Sequence, residues 1–173
     1  MNFLSRALPA LALALNCLAA QAEIVGQAPF AAAPWGQQSD ANAGPAYEQT
    51  FAAPTGFVVE SIRWWGYHGT DSMGPSEDNF VVMLGGIAQA GTLTFVDSAN
   101  GFAEYTLDVT DAALTASTLS VINDSFDVEW YWQSAPAVGN PDAPHADAVA
   151  FQLIGRIDDG GHNVPEPATW ALL

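Results

Sequence analysis

The sequence predicts an all-β fold: one antiparallel β-sandwich with jelly-roll-like character. Three observations carry that prediction. Short runs rich in Val, Ile, Phe, Tyr and Trp follow one another closely, split by Gly, Pro, Asn and Asp. Two of the runs alternate apolar and polar residues with a strict period of two, which places one set of side chains inward and the other outward. Finally, a chain of 173 residues, half of them hydrophobic, suffices for one domain with a real core and is short for two. That composition also excludes a disordered polymer.

Taken in order, residues 23–46 are rich in Ala, Gly, Pro, Gln and Asn and hold no persistent period, so they read as a loose leader or an edge segment with Trp35 tucked onto the domain. The sandwich is expected over 47–158. FVVESIRWWGYH (57–68) opens the set, followed by NFVVMLGG (79–86) and GTLTFVDS (91–98). In FAEYTLDVT (102–110), Ala103, Tyr105, Leu107 and Val109 alternate with Glu104, Thr106 and Asp108. TLSVIN (118–123) is short. In FDVEWYWQ (126–133), Phe126, Val128, Trp130 and Trp132 form the apolar set, and DAVAFQLIGRI (147–157) closes the series. TDAALTAS (110–117) is the one stretch with helical character. Thr110 or Asp111 could cap it, but it supports only about two turns, and a turn fits equally well. Seven or so such runs at short spacing imply a sandwich. Residues 159–163 form a polar linker.

The N-terminal stretch MNFLSRALPALALALNCLAAQA (1–22) reads as a secretory signal peptide. One cation, Arg6, precedes an apolar run that ends in the small-x-small pattern Ala20-Gln21-Ala22, with cleavage expected after Ala22. A membrane anchor fits less well, because the run is short and broken by Pro9 and Asn16. A lipoprotein signal centred on Cys17 also fits poorly, since Leu15 and Asn16 precede it. Cys17 is the only cysteine, so the exported chain is expected to have no disulfide, thiolate metal site or cysteine nucleophile.

Charge narrows the partners. Nineteen acids stand against three arginines and no lysine, for a formal net charge of −16. Such a surface repels nucleic acid and suits solubility outside the cell and attraction of divalent cations.

The chain ends VPEPATWALL (164–173). The residues Val164, Pro165, Glu166 and Pro167 followed by an apolar turn resemble the start of a PEP-CTERM sorting signal. The two prolines disfavour helix up to Glu166 and present an extended strip. Trp170 suits a membrane interface. In that family the motif is followed by a membrane-spanning segment and a basic cluster, and a membrane enzyme of the exosortase type recognises it. The resemblance implies an exported protein of a Gram-negative bacterium, delivered to the cell surface or extracellular matrix. Six residues follow Pro167, against about 20 needed to span a bilayer, and no basic cluster appears. The sequence is therefore expected to be truncated or to carry an incomplete signal, with only transient membrane contact. The stretch SIRWWGYHG, an acidic turn and DNFVVMLGG is also loosely similar to the opening of PEP-CTERM passenger domains, which implies a β-sandwich and supplies no catalytic residues.

Enzyme signatures are nearly absent: there is no Gly-x-Ser-x-Gly, His-Glu-x-x-His or phosphate-binding glycine loop. His68, His145 and His162 read as exposed loop histidines. Asp127 and Glu129 are expected on one solvated strand face, about 6.5–7 Å apart, a spacing near that of glycosidase carboxylates but without a cleft. Two acidic loops offer calcium ligands: Asp71, Glu77, Asp78 and Asn79 in one, Asn140, Asp142 and Asp147 in the other. Ordinary solvated turns explain them as well. The clusters Trp64, Trp65, Tyr67 and Trp130, Tyr131, Trp132 read first as core, with one of Trp64 and Trp65 inside. Sugars also stack on such rings. The expected function is thus non-enzymatic, structural or adhesive. The alternative is a carbohydrate-binding module for exopolysaccharide, with calcium as a candidate cofactor.

Overall fold

The computed structural model describes residues 22–30, 35–43, 46–70, 78–97, 102–114, 116–125, 127–137 and 140–158. They form strands and turns, with no helix among the described residues.

A large sheet holds β1 (Glu23–Gln27), β2 (Gly36–Gln38), β4 (Phe57–His68), β7 (Gly91–Asp97), β8 (Ala103–Ala113), β10 (Trp130–Ala137), β11 (Asn140–Val149) and β12 (Phe151–Ile157). A small sheet holds β3 (Glu48–Thr50), β9 (Thr118–Asn123), β5 (Phe80–Leu84) and β6 (Ile87–Ala88), in that spatial order. The ladders are antiparallel. The long strand β4 is the spine. β8 runs along one side of it, and β12 and then β10 share the other.

The core lies between the sheets. From the large sheet come Val59, Ile62, Trp64, Tyr105, Trp130, Trp132 and Leu153, and from the small sheet Val82, Leu84, Leu119 and Val121. Trp64 stacks on Tyr105 with ring centroids 5.6 Å apart and planes 12° apart. Phe80 of β5 meets Trp64, Tyr105 and Trp130 at 5.4, 4.6 and 5.0 Å, each edge-on, and so joins the sheets. Rings in such offset and edge-on geometry add to what their buried area contributes. Gly66 makes the junction with β10 feasible: a side chain there would collide with the Trp130 ring.

Several sequence expectations need correction. Of the two readings of 110–117, helix or turn, the helical one fails: its described residues hold no helix. β8 runs through Ala113 by way of a bulge, in which the residues between Asp108 and Ala112 face Glu60 alone. Asp111 takes a φ of 39° there, a left-handed value that aspartate tolerates better than most residues. Residues 23–46, read as a loose leader or an edge segment, include β1, which is the edge beside β12, and β2, which pairs with β10. Trp35 is exposed rather than tucked in. The run 126–133 enters the sheet only at Trp130, because Asp127 sits in a turn with a φ of 58°. Asp127 and Glu129 therefore do not share a strand face. The second acidic stretch, 140–148, is strand β11 rather than a loop. Its prolines are tolerated because it is an outer strand whose pairing with β10 is broken by register shifts.

Candidate functional site

Two groups of side chains stand out, one at an end of the sandwich and one on the outer face of the large sheet. At the end, His68 closes β4, Asp78 and Asn79 lead into β5, and Asn123 closes β9. One Asp78 carboxylate oxygen lies 2.8 Å from His68 Nε2 and accepts from Asn123 Nδ2 at 2.5 Å. The other accepts the Tyr105 hydroxyl at 2.7 Å. The Asp78 side chain is only 3% exposed. A carboxylate so buried is tolerable because three donors replace its water. Burial, followed by the hydrogen bond to Asp78, pushes the Tyr105 phenol well above its ordinary range. Beside this network, Asp40 is fully buried. It accepts from the Trp130 amide and Gln38 Nε2, each at 3.0 Å, and from the Asn42 amide at 2.9 Å. Asn123 links the two acids, since its own backbone bonds Ser39 and Ala41. The arrangement satisfies charge and fastens strand ends. It leaves Asp78 no oxygen without a donor.

On the outer face, β4 presents Arg63, Trp65 and Tyr67 with the same parity. Trp65 donates to Glu104 at 3.0 Å, and Arg63 pairs with the same carboxylate at 3.2 Å. Tyr67 stands directly across the ladder from Tyr131, and the two rings stack with centroids 5.1 Å apart and planes 8° apart. Phe102 meets Tyr67 edge-on at 5.6 Å. Tyr131 donates to Glu129 at 2.5 Å, and that bond pushes its phenol up to about 12. Burial, then the Glu129 charge, raises Tyr67 as well. Flat, half-buried rings held between carboxylates and a guanidinium can receive the apolar face of a sugar while the polar neighbours meet its hydroxyls.

The structure distributes the other sequence-derived candidates widely. Asp71 and Glu77 lie outside the described residues, as do His162, Ala20 and the motif Val164, Pro165, Glu166 and Pro167. Ala22 is the first described residue. Asn79 is exposed beside Asp78. Asp142 and His145 belong to β11, and Asp147 is exposed on the same strand. Among the described residues, no group of three or more His, Cys, Asp or Glu is placed to hold a metal ion. His68 is a correction: it is not an exposed loop histidine but a strand-end residue paired with Asp78. Trp64 is fully buried and Trp65 half-buried, as the alternation of a strand requires, and Trp130 and Trp132 are core. Sequence reasoning missed the Tyr67–Tyr131 pair. Parity was the available signal, since Tyr131 lies between two core tryptophans and must point outward.

At the far end of β4 a cleft of about 500 Å³ is lined by Phe57, Leu114, Ser117 and Asp158, among others. No family model, curated protein or solved structure matches the chain.

Proposed function

We propose that this is an exported, non-catalytic protein of the cell surface or extracellular matrix, with a structural or adhesive role. The β-sandwich is its passenger domain, carried between a removable leader and a PEP-CTERM-type sorting strip that an exosortase-type enzyme reads. The observation that carries this reading is the position of β1. It begins at Glu23, the residue directly after the Ala20-Gln21-Ala22 pattern, and pairs in register from Glu23 against Gly155. Cleavage after Ala22 therefore leaves β1 whole, and it removes the only thiol. A domain held by packing rather than disulfides suits that loss. At the other end, β12 closes at Ile157, and Asp158 bonds back to Gly56 before the linker begins.

The test is the mature N-terminus. Expression of the full chain in a Gram-negative host, followed by mass spectrometry of cytosolic and extracytoplasmic fractions, should find a protein outside the cytosol that starts at Glu23. Protein retained in the cytosol with Met1 intact would overturn the reading.

The aromatic outer face favours a second reading, contact with exopolysaccharide through Trp65, Tyr67 and Tyr131. Its calcium-dependent form would draw on Asp71, Glu77 and Asp142. Asp78 is a poor ligand for it, because both its oxygens already accept hydrogen bonds.

A further inference from the structure

We propose that the open edge of β7 is a self-association surface, on which a second copy of this chain adds its own β7 antiparallel, centred on Thr94. Among the described residues β7 pairs with β8 along one side and with no strand along the other, and all seven of its residues are exposed. On its inner face Leu93 and Phe95 stand opposite the core residues Leu107 and Tyr105 yet are themselves 40% and 47% exposed. On the outer face Val96 is 67% exposed. Ile87, on the edge strand of the small sheet just before β7, is 53% exposed. These four make up most of the seven large apolar side chains that stand exposed among the described residues. Natural sheet edges are usually blunted by lysine, proline or inward-facing charge. The sequence GTLTFVD carries none of these except a terminal Asp97.

The occupant is argued from register and charge. About a two-fold axis at Thr94, Leu93 meets the partner's Phe95, Thr92 meets the partner's Val96, and Thr94 meets the partner's Thr94. Asp97 meets the partner's Gly91, so no two acids face each other within the paired strands. On the inner face the leucines and phenylalanines of both copies form one apolar row. The nearest acids on the outer face are Glu104 and Asp108 of β8. Across the junction they stand three strand spacings apart, about 14 Å, which is beyond the screening length of about 10 Å at moderate salt. On a chain of net charge −16, this strip, whose one charge is the terminal Asp97, is where a second copy can approach, and added salt should strengthen its hold. A seven-residue strand is short for the about 1,200 Å² of a stable interface, so the dimer is weak and forms only at high protein concentration. Two-fold pairing uses up the edge, so growth stops at the dimer.

Sedimentation velocity on the full chain tests this directly. The dimer fraction should rise with protein concentration and again with added sodium chloride. Val96→Lys should abolish the dimer while leaving the melting temperature unchanged. Adding Thr92→Glu to it should restore the dimer, because the register sets the new carboxylate against the partner's new ammonium. In a Cys17→Ser background, Thr94→Cys should yield one disulfide-linked dimer on mild oxidation, whereas Ile24→Cys on the β1 edge should not. A chain that stays monomeric at millimolar concentration in high salt overturns the proposal. So do species that grow beyond the dimer, a dimer indifferent to Val96→Lys, and a Thr94→Cys variant that does not cross-link.

Discussion

His68 Nε2 lies 2.8 Å from the Asp78 carboxylate, and that short contact ties the end of β4 to the residues that begin β5. Asn123 and Tyr105 complete the same carboxylate shell from β9 and β8. Removing the carboxylate leaves three polar groups without their shared acceptor. Asp78→Ala should therefore destabilise the protein by about 3–5 kcal/mol, the range for breaking a buried charged network by deleting one member. Asp78→Asn, which keeps an acceptor oxygen, should lose less. The check is denaturant unfolding, with the midpoint falling at constant slope. A loss under about 1 kcal/mol would mean the network contributes nothing beyond packing.

Tyrosine ionisation gives a second test. The chain has four tyrosines, and Tyr47, Tyr67, Tyr105 and Tyr131 are all raised above their ordinary value. For Tyr47, Tyr67 and Tyr105 the first cause is burial, and for Tyr131 it is the hydrogen bond to Glu129. The folded state thus holds these protons more tightly than the unfolded chain, whose tyrosines titrate near about 10. The resulting stability is fully present below that pH and is lost as pH rises above it toward the folded values, with Tyr131 at about 12. Ultraviolet titration should show less tyrosinate at pH 10 in the native protein than in the unfolded chain. Stability should fall steadily beyond that point. A normal phenol titration in the folded state would remove the account.

Gly66 offers a test of packing. A Cβ at this position would lie 2.7 Å from the Tyr131 carbonyl and inside contact distance of the Trp130 ring. The obstacle is backbone plus a fully buried indole, neither of which yields cheaply. Gly66→Ala should lose about 2–3 kcal/mol. Gly86 is the matched control. Its surroundings are open but its φ is 77°, so alanine there meets only backbone strain and should lose about 1 kcal/mol. Equal losses at the two sites would refute the packing argument.

Much of the sandwich was legible because it rests on local signals. The bounds of β4 and β9 coincide with the runs read at 57–68 and 118–123, where β-branched and aromatic residues end at turn residues. Alternation also placed Trp130, Trp132 and Tyr105 inside. What failed was whatever depends on distant partners. β11 carries two prolines and reads as a loop until β10 is beside it. β1 and β2 are too short for a period to emerge. The helical look of 110–117 comes from alanine and a capping aspartate, but Asp111 is held in a bulge by Arg156, at 2.7 Å on β12. The Asp78 network joins residues 10, 27 and 45 positions away, a spacing that no local pattern reveals.

The outer aromatic face supplies the last prediction. Trp65, Tyr67 and Tyr131 present rings beside Glu104 and Glu129, so the face is negative and the whole chain more so. If it receives a polysaccharide, a neutral one should bind and an anionic one should be repelled, more strongly at low salt. Trp65→Ala should weaken a neutral glycan about tenfold or more, since aromatic anchors dominate such contacts. Tyr131→Ala should act in the same direction while breaking the stack with Tyr67. Thr106→Ala, on the same sheet face but without a ring, should leave binding unchanged. A glycan array read with and without calcium, followed by titration calorimetry on the variants, decides the matter. A blank array under both conditions, or binding that survives the loss of both rings, would leave this face a structural feature of the sheet and return the weight to the adhesive reading.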